Sequence, residues 1–251
     1  MTENQKLKKY NKNLNYSYTL GAFPTIELIN AKPDMVLKVI VSASFVDNDV
    51  YIKLIEECNK LNVEVQINDK LINRLSPKDN CYVIGLFKKY NLSLNENKPH
   101  VVLVNPSNMG NLGTIIRTIL GFEIDNLAII SPGVDIYDPK VVRASMGAIF
   151  NINFQYFNSF EDYLNSFKHH EVFTFMLDGK YSLQDFNGYN TPLYSLVFGN
   201  ESSGLDDEFQ NYGKSIRINH SEKIDSLNLP ISIGIAMYQF SKDKFCDYKV
   251  K

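Results

Sequence analysis

Apolar residues along this chain gather in short unbroken runs, separated by stretches in which they recur every three or four positions. Runs of four to eight fit buried strands, and the longer spacing fits helices. In the first ninety residues, Val36–Val41, Val63–Ile67 and Cys81–Phe87 predict strands. Helical spacing through Ile52, Ile55 and Cys58 predicts a helix over Asp49–Leu61, and Asp69–Leu75 predicts a shorter one. From residue 100 the alternation strengthens. The runs His100–Asn105, Leu127–Ile130, Val172–Leu177, Leu193–Phe198 and Ser215–Ile218 predict strands. Residues 112–121, 139–149, 159–168, 205–211 and 229–241 between and after them predict helices. Apolar runs with little internal alternation, separated by helices, mean a parallel sheet covered on both faces. The fold class is therefore α/β, with no internal repeat. The polar stretch Asn91–Pro99 ends in proline and reads as a linker. It divides the chain into a smaller domain over 1–90, a linker over 91–99 and a larger domain over 100–251.

Composition changes this picture little. Of 251 residues, 44% are hydrophobic and 22% charged, which excludes a disordered chain. The formal net charge of -2 speaks against a simple polycationic nucleic-acid binder. The charge is uneven, however: residues 1–98 hold 14 Lys and Arg against 11 Asp and Glu, and residues 99–251 hold 12 against 17. Lys6, Lys8, Lys9 and Lys12 form a basic run, either a solvated face or a phosphate contact. Cys58, Cys81 and Cys246 are far apart and odd in number, so a reducing cytoplasm is expected and no disulfide framework. No run approaches the length of a membrane span, and Met1–Asn15 lacks the apolar core of a secretory signal. His169-His170, beside a surface-like helix end, has no third ligand at a usual spacing, so no metal is expected.

Three segments carry candidate chemistry. Asn105-Pro-Ser-Asn108-Met-Gly110-Asn111-Leu-Gly113 follows a strand and opens a helix bearing Arg117 among apolar residues. Its glycines permit a tight turn and the helix start offers free N–H groups. Equally, Asn111 is a plain helix cap and Arg117 half of a structural ion pair. Gly199-Asn-Glu201-Ser-Ser-Gly204-Leu205 follows another strand, where open α/β sheets bind ligands. It is also readable as a solvated turn. Ser226-Leu227-Asn228-Leu229-Pro230 opens the last helix, with Ser226 or Asn228 as cap and Pro230 in the first turn.

Taken in order, these segments resemble the SpoU/TrmH-type branch of the SPOUT superfamily, the S-adenosylmethionine-dependent 2′-O-ribose RNA methyltransferases. The matching residues are Asn108, Gly110, Asn111, Gly113, Arg117 and Thr118, then Gly199, Glu201, Gly204 and Leu205, then Ser226, Leu227 and Asn228. Arg143-Ala-Ser145-Met-Gly147-Ala148 adds a supporting match. The resemblance implies a knotted parallel-sheet SPOUT methyltransferase domain and a homodimeric enzyme. It implies that S-adenosylmethionine is held near Gly199, Ile218, Leu227 and Asn228. It gives catalytic roles to Arg117, Asn111, Glu201, Ser226 and Asn228, with Glu201 holding Arg117 or the cofactor's amino group. Leu20–Ile29 and the following strand are similar to the family's accessory domain, which resembles kink-turn-binding ribosomal proteins. Folded RNA is the expected partner, ribosomal RNA before transfer RNA. The rivals are a Rossmann-type oxidoreductase, which Gly110-x-x-Gly113 matches poorly, and a non-catalytic RNA-binding member of the same fold.

Overall fold

The computed structural model describes residues 7–46, 49–76, 80–185 and 192–245. Lys6 and Cys246 lie outside them. The chain divides into two compact units, Met1–Tyr90 with Asp135–Asn151, and Asn91–Val134 with Ile152–Lys251.

The first unit holds a four-stranded mixed sheet. Its strands are β1 (Tyr16–Tyr18), β2 (Val36–Val41), β3 (Val65–Ile67) and β4 (Val83–Lys88), in the order β1-β4-β2-β3. Only β2 and β3 run parallel. Helices α1 (Ala22–Ala31), α2 (Asp49–Lys60) and α3 (Asp69–Leu75) accompany it. The core beneath α2 is Ile29, Val39, Val41, Leu54, Cys58 and Val83. The segment 135–151 packs here through Phe150, edge-on to Phe87 with ring centres 5.2 Å apart. It carries α5 (Pro139–Ala144), shorter than the helix predicted over 139–149. The helix stops because Met146 and Gly147 both take positive φ, 52° and 85°.

The second unit is a seven-stranded, wholly parallel sheet. In chain order its strands are β5 (His100–Val104), β6 (Asn126–Ile130), β7 (Asn153–Phe157), β8 (Glu171–Phe175), β9 (Tyr181–Ser182), β10 (Tyr194–Phe198) and β11 (Lys214–Arg217). Across the sheet they lie β7-β6-β5-β10-β8-β11-β9, each neighbouring pair parallel. Strand β10 therefore sits between β5 and β8, and chain order reverses there. The carboxyl ends of strands at such a switch point are where open sheets place ligands. The helices are α4 (Met109–Gly121), α6 (Phe160–Ser166) and α7 (Leu229–Ser241). The helix predicted over 205–211 is a short 3-10 turn, Asp207–Asn211.

The stretch 91–99, expected to link, is fastened along this unit. Leu94 is buried in its core, and the backbone N–H of Asn95 donates to Asn126 at 2.8 Å. The Nε2–H groups of His100 and His170 donate to the carbonyls of Asn95 and Glu96 at 2.9 and 3.0 Å. His170 is thus buried rather than on a surface helix end.

Candidate active site

Helix α4 forms because apolar residues at i, i+3, i+4 and i+7 give it one buried face: Leu112, Ile115, Ile116 and Ile119. Its cap is Asn108, not Asn111. The Asn108 side chain accepts from the N–H groups of Gly110 and Asn111 at 2.9 and 3.0 Å. Asn111 stands inside the first turn, so its side chain is left to reach elsewhere. Arg117 points away from the buried face. It is exposed and makes no ion pair among the described residues, so the structural pair considered above is not formed.

Beyond β10 the chain turns back on itself. Asn200 and Gly204 exchange backbone hydrogen bonds of 3.1 and 3.0 Å. Gly204 takes φ of 73°, and a Cβ on Gly199 would lie 2.0 Å from the Gly204 carbonyl carbon. Both positions demand glycine. The turn is tied to the segment after β5. Asn200 Nδ2 donates to the Asn105 carbonyl at 2.6 Å. Glu201 accepts from the Ser107 N–H at 3.0 Å, the Ser107 hydroxyl at 2.7 Å, the Asn108 N–H at 3.1 Å and Asn111 Nδ2 at 3.3 Å. Burial pushes this carboxyl up, but the donors from Ser107 and Asn108 outweigh it and hold it below the usual carboxylate range. Glu201 is therefore an ionised bracket between the first two motifs, and it does not hold Arg117. Sequence reasoning missed Ser107 as its partner; a hydroxyl beside a helix cap was the available signal.

The third motif sits at the start of α7. Asn228 occupies the cap position, yet its side chain makes no capping bond. Its carbonyl accepts from the N–H groups of Ile231 and Ser232 instead, and Pro230 fits the first turn, where no donor is needed. Ser226 and Asn228 are exposed.

These loops enclose a cavity of about 300 Å³. Gly199, Glu201, Ile218, Ser226 and Leu227 all line it. Asn228, Asn111 and Arg117 are not among its lining residues. Phe175 and Phe198 lie in its wall, stacked with ring centres 4.4 Å apart and planes 12° apart. The cavity matches the lower end of pockets for nucleotide-sized ligands. Apolar walls, backbone groups at glycine turns and a few polar side chains suit a ligand part aromatic and part polar. S-adenosylmethionine has that character, and the residues present fit it. Among the described residues no group of three His, Cys, Asp or Glu side chains could hold a metal. No helix of the described residues is long and apolar enough to cross a membrane.

The family model of the SpoU rRNA Methylase family matches residues 98–238. A 23S rRNA (adenosine(1067)-2′-O)-methyltransferase of Streptomyces azureus is 24% identical over 198 residues, 74% of this chain and 73% of that protein. A Listeria innocua protein assigned as a tRNA (cytidine(34)-2′-O)-methyltransferase is 30% identical over 145 residues, 56% of this chain and 85% of that protein. The crystal structure of the SpoU methyltransferase AviRb from Streptomyces viridochromogenes with AdoMet shares the fold, with a TM-score of 0.80 at 18% identity, covering 94% of this chain and 95% of that one.

Proposed function

Since the chain belongs to the SpoU rRNA Methylase family, an RNA 2′-O-methyltransferase using S-adenosylmethionine, we propose that its substrate is a folded ribosomal RNA. One observation carries this choice. The rRNA-modifying relative aligns over 74% of the chain, and the tRNA-assigned relative over 56%. The ribosomal likeness thus extends beyond a methyltransferase domain alone. The test is incubation with unmodified ribosomal and transfer RNA and labelled S-adenosylmethionine, followed by mapping of 2′-O-methyl positions. Label in ribosomal RNA is expected; label confined to transfer RNA overturns the choice.

The chemistry supplied by bound S-adenosylmethionine is an electrophilic methyl group on a sulfonium sulfur. Gly199, Ile218 and Leu227 would hold it in the cavity they line. A ribose hydroxyl is a weak nucleophile and needs its proton removed or its developing charge stabilised. Arg117 is proposed to grip the phosphate of the target nucleotide and stabilise the forming alkoxide. Its exposure and lack of an ion pair among the described residues leave the guanidinium available. A guanidinium stays protonated in proteins and is a poor base, which favours the electrostatic role. Asn228 and Ser226 would orient the ribose, since both are exposed beside the cavity mouth. Asn111 would do so from α4 while keeping its bond to Glu201.

A homodimer, a trefoil knot and RNA reading by residues 1–90 complete the proposal. Helix α7 supports the first: Ile231, Ile235 and Tyr238 form a stripe at i, i+4 and i+7, with Ile231 56% and Tyr238 66% exposed. For the knot, the support is β10 lying between β5 and β8, and the close pass of Gly179, where a Cβ would stand 2.4 Å from the Ile216 carbonyl carbon.

A further inference from the structure

His220 lies in the loop between β11 and α7 and was not singled out by any sequence motif. Its Nε2 is shut off from solvent and has no hydrogen-bond partner among the described residues. A buried ring nitrogen normally finds a partner, because its lost hydration is otherwise not replaced. Thr174 Oγ1 is similarly unpaired, but it sits inside the sheet on β8. His220 differs in place: it lines the cavity with Ile218, Ser226 and Leu227.

Two other polar side chains of the lining are engaged. Glu201 accepts four hydrogen bonds, and Asp178 accepts from Gln210 at 2.6 Å. The apolar part of the lining includes Ile216, Ile218, Leu227 and Leu229. An imidazole in a cavity lining, with a ring nitrogen unpaired, is the arrangement of a residue that receives its partner from a ligand. We propose that His220 Nε2 hydrogen-bonds a polar group of S-adenosylmethionine. It is a cofactor-contacting side chain, where Gly199, Ile218 and Leu227 offer backbone and apolar surface. The proposal rests on the methyl donor occupying this cavity.

Two measurements test it. S-adenosylmethionine is titrated by calorimetry into the full chain and into the variants His220→Leu and His220→Gln. Leucine keeps bulk without a polar atom; glutamine keeps a polar atom near the same place. Leucine should weaken binding about tenfold, the worth of one hydrogen bond lost to a polar ligand group, and glutamine less than about threefold. Equal affinity of the leucine variant and the native chain overturns the proposal, as does equal weakening by both variants. The second measurement needs no variant: the imidazole ¹⁵N resonances of His220 are followed as S-adenosylhomocysteine is added. The Nε2 resonance should move on saturation, and an unmoved resonance with bound ligand overturns the contact. Absence of any heat with the native chain would instead overturn the cofactor site itself, so the two failures are distinct.

Discussion

Arg117 stands on the solvent face of α4, two turns in from the cap, while Leu112, Ile115, Ile116 and Ile119 on that helix turn inward. Nothing in packing requires a guanidinium there, so its removal should spare the fold. Arg117→Ala is expected to leave S-adenosylmethionine affinity within about twofold and to lower turnover about a hundredfold or more. Calorimetry and single-turnover methylation measure the two. Full turnover in the variant would remove Arg117 from the mechanism. Glu201 makes the opposite case, since its carboxylate is saturated by donors. Its pKa is lower in the folded chain than in the unfolded one, so its contribution is present above the ordinary carboxylate range. It is lost as pH falls through the depressed folded value. Glu201→Gln places an amide against N–H donors and should cost about 2 kcal/mol in urea unfolding at neutral pH. The difference from the native chain should shrink in acid; a constant difference down to low pH would refute the bracket.

At the scale of elements, strands β2, β3, β4, β5, β6, β8, β10 and β11 and helices α2, α3, α4, α6 and α7 were legible in the sequence, the strands as short apolar runs and the helices by their longer apolar spacing. What escaped was either short or two-sided. Strand β1 has three residues, β9 two, and β7 alternates Asn153 and Gln155 with aromatics as an edge strand does. Helix α1, with Pro24 and Thr25 among its buried residues, has a weak apolar stripe. The glycines and acids of the site were legible as a motif, but their geometry was not. The Ser107–Glu201 contact does not follow from spacing, because the partners are ninety-four residues apart. Asn108→Ala should cost about 1 kcal/mol of stability through the lost cap. It should also weaken S-adenosylmethionine binding, since the bracket then loses its fixed helix start; unchanged affinity would detach the cap from the site. On α7, Ile231→Glu should convert a dimer to a monomer in sedimentation, given the exposed stripe it interrupts. A native chain that sediments as a monomer would dismiss the dimer.

For the molecule as a whole, the stretch 91–99 is held by two histidines, and both are kept from charging. Burial lowers the His100 imidazole to about 4, and it lowers His170 as well. The unfolded chain takes up these protons near the ordinary value of 6.5. Stability is therefore complete above that pH and declines as pH falls toward about 4. Urea midpoints between pH 7.5 and pH 4.5 should drop, and His100→Gln should flatten the slope; a flat native profile would contradict the buried neutral pair. RNA affinity should also fall steeply with salt despite the overall charge of -2, because contacts to phosphate release counterions. The position of β10 has one more consequence, and it concerns the order in which the protein is made. The strand that fills the gap between β5 and β8 ends at Phe198 of 251 residues. On the ribosome, β5, β6 and β7 emerge long before it, with one edge of β5 lacking its neighbour. The nascent chain must carry that open edge while about ninety further residues are added, exposed to pairing with other chains, until the strand that covers it is delivered.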